Sequence, residues 1–265
     1  MLRDITLGQY FPGDSIVHRL DPRTKLILVI VYIVALFQAQ GWVSYAVVIL
    51  LTALCMALSR IRFGTIFKGL KPMLFIIVLT ALLNVFYTTG TPIIPGWIIT
   101  WEGLDRAVKM VLRIMMLITG TFLLTYTTSP IALTDGLELL LAPLKKLKVP
   151  VHEMTLMMSM ALRFIPTLIR ETDVIMSAQK ARGADFETGS LVRRAKALLP
   201  ILVPLFVSAF RRADELAVAM ESRCYHGGEG RTRMKQLHMA GRDWTALLLG
   251  LAVLAGMIVL RQMGL

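Results

Sequence analysis

The feature that most constrains this chain is a run of 34 residues, 26–59, without a single Asp, Glu, Lys or Arg. A helix needs about 20 apolar residues to cross the hydrocarbon core of a bilayer, which is ~30 Å thick. The Gly-Trp pair at 41–42 interrupts the run, and glycine favours turns. The run therefore predicts a tight hairpin of two membrane-spanning helices, near residues 24–40 and 42–59.

Three further segments have the same apolar character. Residues 72–101 carry no charge, and their first half predicts a helix that ends near Tyr87, followed by an interfacial loop rich in Pro, Gly and Trp. The next segment covers residues 104–127, and the last covers residues 244–260. We therefore predict an all-α integral membrane protein with about five transmembrane helices.

The composition supports a membrane protein and argues against a soluble one. Hydrophobic residues make up 56% of the chain and charged residues only 17%, yet the net charge is +12. A nucleic-acid binder concentrates its basic residues on a soluble domain, whereas here they flank long uncharged runs. That distribution is typical of cytoplasmic loops, so we expect the lipid bilayer as a partner and no nucleic acid.

The basic residues also predict the orientation. Residues 1–25 and 59–72 contain four basic residues each, and residues 129–243 contain 17, while the loops 39–42 and 88–103 contain none. Positive charge accumulates on the cytoplasmic side. We therefore expect a multi-pass protein of the cell membrane with its N-terminus in the cytoplasm and its C-terminus outside.

Three basic residues do not follow this distribution. Arg106, Lys109 and Arg113 begin the fourth span, near the predicted outer side. Their spacing places them on one stripe of a helix. We predict that they face protein or water.

The long cytoplasmic stretch divides the chain into three parts. Residues 1–128 hold the N-terminal segment and four spans, residues 129–243 form a cytoplasmic region, and residues 244–265 form the last span. Within the cytoplasmic region, apolar residues at three- and four-residue spacing predict two long amphipathic helices, over 151–182 and 191–223. Prolines inside both helices are expected to kink or disturb them.

The two amphipathic helices end alike. At an offset of 41 residues Arg170 aligns with Arg211, Asp173 with Asp214, and Ala178 with Ala219, and each helix ends in a small residue, an arginine and a small residue. Small neighbours allow a helix end to enter a tight socket, and arginine offers a planar set of donors. A simpler interpretation is that each arginine only complements the helix dipole.

With these motifs the chain resembles the transmembrane T component (EcfT) of energy-coupling factor transporters, vitamin and micronutrient importers of the ABC class. The resemblance covers nearly the whole chain. It is carried by residues 15–26 (SIVHRLDPRTKL), 127–130 (TTSP) and 162–166 (LRFIP), and by the two helix ends. The second end departs from the family's usual Ala-Arg-Gly by its Ser-Arg-Cys.

The resemblance implies that the long helices are coupling helices, with two ABC ATPase subunits and a membrane-embedded substrate-binding S component as partners. The residues expected to dock into the ATPases are Ala181, Arg182, Gly183, Ser222, Arg223 and Cys224. We expect the apolar faces of the two helices to hold the S component, because a chain of this size cannot bury them itself. The residues expected in that contact are Met154, Met157, Met158, Leu162, Ile165, Leu202, Leu205 and Phe206.

No catalytic residue, metal site or cofactor is predicted. Residues 64–71 imitate the spacing of a phosphate-binding loop, but leucine replaces the lysine, so this segment is interpreted as a basic cytoplasmic loop and ATP hydrolysis is assigned to the partners. An intramembrane enzyme needs paired polar groups at bilayer depth, and the two long uncharged runs contain no carboxylate or histidine. The nearer alternative is a conventional ABC permease that forms the substrate path itself.

Overall fold

A computed structural model of the chain describes residues 10–92, 99–186, 190–227 and 237–263. These residues form helices and no β-strand; one isolated antiparallel bridge joins Pro92 and Thr100. The fold is therefore all-α, as predicted. The helices are α1 Pro22–Gln38, α2 Trp42–Ser59, α3 Phe63–Leu70, α4 Leu74–Tyr87, α5 Trp101–Thr127, α6 Pro130–Leu141, α7 Val151–Ala181, α8 Leu191–Glu221 and α9 Gly241–Gln262.

The chain forms two compact units. The first, which we name the bundle, comprises residues 8–140 and 237–265 and contains α1 to α5, nearly all of α6, and α9. The second comprises the described residues from 141 to 227, and its long helices α7 and α8 are named the helix pair. The predicted boundaries at 128 and 243 concern position relative to a membrane and remain predictions.

Four helical stretches among the described residues are long and apolar enough to cross a bilayer: α2, the continuous stretch Phe63–Tyr87, α5 and α9. The remaining predicted span is α1, whose 17 residues extend ~26 Å at 1.5 Å per residue. Helix α1 runs parallel to α9, as two contacts show. Where both helices start, the Asp21 amide donates to Asp243 Oδ1 at 2.8 Å. Where both helices end, Gln38 contacts Arg261. Helix α1 therefore lies alongside α9, which is one of the four stretches, and the crossing of a bilayer by α1 remains a prediction.

The predicted loop over residues 59–72 is mostly helical, which corrects the sequence interpretation. Only residues 60–62 connect α2 to α3, and a 3-10 turn at Lys71–Met73 joins α3 to α4. Glycine is normally unfavourable inside a helix, but at Gly69 the missing side chain allows α3 to pack closely against α5. A Cβ atom at this position would lie 2.5 Å from Phe122 Cε2 of α5. The tertiary contact with α5 therefore outweighs the local preference for a loop.

The core of the bundle lies where α1, α2, α5 and α9 meet. Its fully buried members are mostly small or aliphatic, and Leu36 and Tyr45 are the largest of them. The hydroxyl of Tyr32 lies 3.0 Å from Thr52 Oγ1 and donates to the Met116 carbonyl at 3.1 Å. A paired hydroxyl is inexpensive to bury, and this one links α1, α2 and α5.

Two of the segments that carry the family resemblance meet inside the bundle. The buried ammonium of Lys25 donates to the Thr127 carbonyl at 3.0 Å and to Thr128 Oγ1 at 3.1 Å. Asp21 caps α1 by accepting from the Arg23 amide at 2.9 Å. Buried charges are tolerated when they are paired and hydrogen-bonded, so these polar residues hold the start of α1 against the end of α5.

The prediction for the basic stripe on α5 is confirmed for two of its three members. Lys109 forms an ion pair with Asp105 at 2.7 Å, and Arg113 donates to the Ala39 carbonyl at 2.8 Å. Both side chains therefore face protein, while Arg106 is exposed.

Candidate docking sites on the helix pair

The helix pair consists of two helices of equal length. Helices α7 and α8 each contain 31 residues, and their bounds agree with the predicted ones within two residues. Each helix continues through its internal prolines, Pro166 in α7 and Pro200 and Pro204 in α8. A proline removes a single backbone donor, so a long helix with many remaining hydrogen bonds is not ended by it.

Helix α7 ends in a Schellman motif. The Ala184 amide donates to the Gln179 carbonyl at 3.0 Å and the Gly183 amide to the Lys180 carbonyl at 3.0 Å. Gly183 has a φ of +86°, the left-handed conformation that this motif requires and that glycine adopts without cost. Arg182 occupies the capping position immediately before it.

Helix α8 ends in the same motif, 41 residues later. The Tyr225 amide donates to the Met220 carbonyl at 3.0 Å and the Cys224 amide to the Glu221 carbonyl at 2.9 Å. Cys224 takes the left-handed position with a φ of +55°, which is uncommon for a residue with a side chain. Arg223 is therefore at the same capping position as Arg182.

The six residues predicted to dock are all exposed. Within the described part of the chain, neither Arg182 nor Arg223 has a hydrogen-bond or ion-pair partner for its guanidinium. Each guanidinium presents five donors in a planar arrangement that matches carboxylates. The geometry thus offers two similar, unoccupied donor groups at the ends of two rigid helices.

One contact between the helices joins equivalent positions. Arg212 donates to Glu171 Oε2 at 3.2 Å, with both side chains half-buried, and these residues are also 41 positions apart. When a two-fold axis relates two helices, equivalent positions of the two helices contact each other only where they lie close to that axis. Gln179 Nε2 donates to the Pro200 carbonyl at 3.4 Å, so a later part of α7 lies beside an earlier part of α8. The helices therefore cross in opposite directions around an approximate two-fold axis near Glu171 and Arg212.

The predicted contact set for an S component divides by exposure. Leu162, Ile165 and Leu205 are half-buried, while the others are exposed: Met154, Met157, Met158, Leu202 and Phe206. The structure adds Val203, Val207 and Phe210, which are exposed at 62%, 56% and 67%. Val203 and Phe210 lie three and four residues from Phe206, and Val207 lies four residues from Val203, a helical spacing that was visible in the sequence. These residues form a shallow groove on α8, in which the rings of Phe206 and Phe210 stack at 6.4 Å.

Sequence comparison shows that this chain is similar to known proteins over nearly its whole length. Residues 13–234 match the model of the CbiQ family, described as cobalt transport protein. The energy-coupling factor transporter transmembrane protein EcfT of Clostridium kluyveri is 52% identical over 265 residues, covering 98% of each chain. The EcfT proteins of Bacillus subtilis and Lactococcus lactis are 51% and 45% identical, and each alignment covers at least 97% of both chains.

Proposed function

This chain belongs to the CbiQ family, and within it to the transmembrane EcfT proteins of energy-coupling factor transporters, and we propose that it couples ATPase motion to substrate uptake. In this proposal two ABC ATPase subunits hydrolyse ATP. The helix pair transmits their movement to a membrane-embedded S component that carries a vitamin or another micronutrient. The chain itself is a non-catalytic subunit.

The observation that supports this proposal is the repeated helix end. Arg182 and Arg223 share a capping position, a backbone hydrogen-bond pattern and exposure. If an arginine served only its own helix dipole, nothing would require the two ends to match. Two matching ends suit two similar sockets, such as a pair of related ATPase subunits provides. Acidic groups in those sockets would pair with the guanidinium groups.

The helix pair has the rigidity that coupling requires. Each helix has 31 residues and is ~46 Å long at 1.5 Å per residue. The Glu171–Arg212 ion pair and the Gln179–Pro200 hydrogen bond hold the two helices together. Closure of two ATPases would therefore move the helices as bodies, whereas a flexible loop would absorb the displacement.

We propose the apolar side of the helix pair as the surface that holds the S component. Met154 and Met157 on α7 are 54% and 62% exposed, and Phe206 and Phe210 on α8 are 60% and 67% exposed. Exposed apolar areas of this kind mark interaction sites, and methionine adapts to partners of different shape. The proposed location of the pair is the cytoplasmic face of the cell membrane, with the N-terminus inside and the C-terminus outside.

Purification of the tagged chain from its native membranes tests the proposal. We expect two ATPase subunits and one small hydrophobic membrane protein to co-purify. Recovery of ATPases alone would favour a conventional permease, and recovery of neither would refute the coupling role. A matched preparation of the Arg182→Ala/Arg223→Ala variant should lose ATPases and keep the small membrane protein.

A further inference from the structure

The bundle contains a polar pocket that the coupling role does not use. It lies at the end of the bundle where the turn between α1 and α2 approaches the start of α5. Its polar and aromatic lining includes Gln40, Tyr45, Trp101, Arg106, Lys109 and Arg113. The helix pair belongs to the other compact unit and contributes nothing to this lining.

Two buried groups in this lining lack partners among the residues that the structure describes. The Tyr45 side chain is almost fully buried, and its hydroxyl has no hydrogen-bond partner within the described ranges. The Nε atom of Arg113 is also buried, with no partner in that part of the chain. Buried polar atoms are nearly always paired, and leaving one unpaired costs about 1–3 kcal/mol. Both groups can donate a hydrogen bond, so the missing partner is an acceptor.

The carboxylates of the pocket are already engaged. Glu102 accepts from the Thr91 amide at 2.8 Å and from Thr91 Oγ1 at 2.9 Å. Asp105 pairs with Lys109 at 2.7 Å and accepts from Trp42 Nε1 at 2.9 Å.

In contrast, neither arginine of the pocket has a carboxylate partner among the described residues. Arg113 bonds the Ala39 carbonyl and lies over the rings of Phe37 and Tyr45, at 5.8 and 5.9 Å from their centroids. Arg106 has no partner among the described residues. Two guanidiniums and one hydroxyl therefore remain to bind an acceptor that carries negative charge.

The surroundings place this site at the level of lipid headgroups. Trp42 and Trp101 flank the pocket and are 54% and 60% exposed. Tryptophan accumulates at membrane–water interfaces, where its ring sits beside the headgroups. Both residues lie at the first turn of an apolar helix, which is the position of such an interface.

We propose that this pocket binds the phosphate of an anionic phospholipid. Phosphate oxygens are acceptors without donors, and arginine binds them in a planar, bidentate geometry. Arg106, Arg113 and the Tyr45 hydroxyl supply the donors, and the exposed tryptophans contact the lipid next to its headgroup. A bound lipid would fix the α1–α2 turn against α5 and would explain why basic residues occur at this end of the bundle.

Quenching of tryptophan fluorescence by brominated lipids tests the proposal on the full chain in nanodiscs. The measured quantity is the binding preference for brominated phosphatidylglycerol over brominated phosphatidylcholine. Trp244 is replaced by phenylalanine, because it lies at the start of α9, outside the pocket lining, and its fluorescence would add an unrelated signal. We expect a preference of about fivefold, close to one kilocalorie per mole at 1.4 kcal/mol per tenfold. Arg106→Gln should reduce the preference toward one, and Arg113→Gln should do the same if the variant folds by circular dichroism. Arg62→Gln, an exposed arginine beyond the end of α2, should leave it unchanged.

Two outcomes would overturn the proposal. One is the absence of any preference for phosphatidylglycerol, or a preference that survives Arg106→Gln, since Arg106 is exposed and its loss does not endanger the fold. The other concerns the source of the phosphate. If phosphatidylglycerol shows no preference while millimolar inorganic phosphate changes the tryptophan fluorescence in an Arg106-dependent manner, the pocket takes a free anion and not a headgroup.

Discussion

Arg212 donates to Glu171 across the helix pair at 3.2 Å, and the two residues are related by the same 41-residue offset that relates Arg223 to Arg182. At the crossing of two equivalent helices, identical residues would bring like charges together. Here the sequence places opposite charges at the two equivalent positions. This difference between the two equivalent positions therefore adds an attraction at the crossing of α7 and α8.

Reversing one charge at this crossing should weaken the helix pair. Arg212→Glu places two carboxylates together, and Glu171→Arg combined with Arg212→Glu restores the pairing. We expect a coupling of ~0.5–1 kcal/mol between the two positions, because half-exposed ion pairs are modest. Thermal inactivation of the purified transporter measures it, with Arg170→Glu, at the exposed arginine next to Glu171, as the control. If Arg212→Glu and the double variant Glu171→Arg/Arg212→Glu lost equal thermal stability, the ion pair would have no role in holding the helices together.

The arginines at the helix ends should be specific for arginine. Truncating one partner of a desolvated charge pair typically costs ~2–5 kcal/mol, so Arg182→Ala and Arg223→Ala should each reduce uptake at least tenfold. Arg182→Lys and Arg223→Lys should rescue poorly, because an ammonium cannot reproduce the planar set of donors. Arg170→Ala, which removes an exposed arginine from within α7, should have little effect. Full uptake in both lysine variants would contradict docking through the planar donors of arginine and would support the interpretation that each arginine only complements the helix dipole.

The left-handed conformation of Cys224 makes its substitutions informative. Cys224→Gly should retain uptake and slightly stabilise the α8 end, because Gly183 adopts the equivalent conformation without a Cβ. Cys224→Val should lower uptake strongly, because a β-branched residue is a genuine outlier at positive φ. Uptake and ATPase co-purification measure both effects. A fully active valine variant would show that the α8 end does not need this geometry.

The proposed S-component surface is tested by charge. Met158→Glu and Phe206→Glu should release the S component while the ATPases stay bound, because a charge is costly to bury in an apolar contact. Leu205→Glu should act in the same direction, although its half-buried position also affects the helix pair. Val174→Glu is the control, since Val174 is 69% exposed on the opposite side of α7. Retention of the S component in the first two variants would exclude this surface.

Cysteine accessibility tests the orientation. In a Cys55→Ala/Cys224→Gly background, a cysteine added after Met263 should react with an impermeant reagent from outside intact cells. Arg62→Cys, in the short connection between α2 and α3, should react only after the membrane is permeabilised. Because α1 and α9 run parallel, both end on the outer side in the five-span topology. The connection between α2 and α3 follows the return of α2 and lies on the inner side, so the two cysteines should give opposite results. Reaction of both positions from the same side would refute the five-span topology.

Hydrophobic length and charge distribution determined much of this protein without its structure. The uncharged run over residues 26–59 predicted the α1–α2 hairpin, and three- and four-residue spacing predicted α7 and α8 within two residues. These features are local, because a bilayer demands a minimum apolar length and an amphipathic helix repeats every 3.6 residues. The 41-residue repeat was also recognisable in the sequence, because two helices that end in the same backbone motif need similar residues at their ends.

Only the tertiary structure decided which of these residues meet. The basic residues of the segment 59–72 indicated a loop, but most of it is helical, and close packing of Gly69 against Phe122 favours the helix α3. The pairing of Glu171 with Arg212 depends on how the helices cross. So does the meeting, in one pocket, of the Tyr45 hydroxyl and the Arg113 Nε atom, which have no partner among the described residues. Sequence periodicity fixes which face of a helix is apolar, but the partner of that face, and the depth of each polar atom, are set by long-range packing. For that reason the elements were predictable, while the contacts that stabilise them were not.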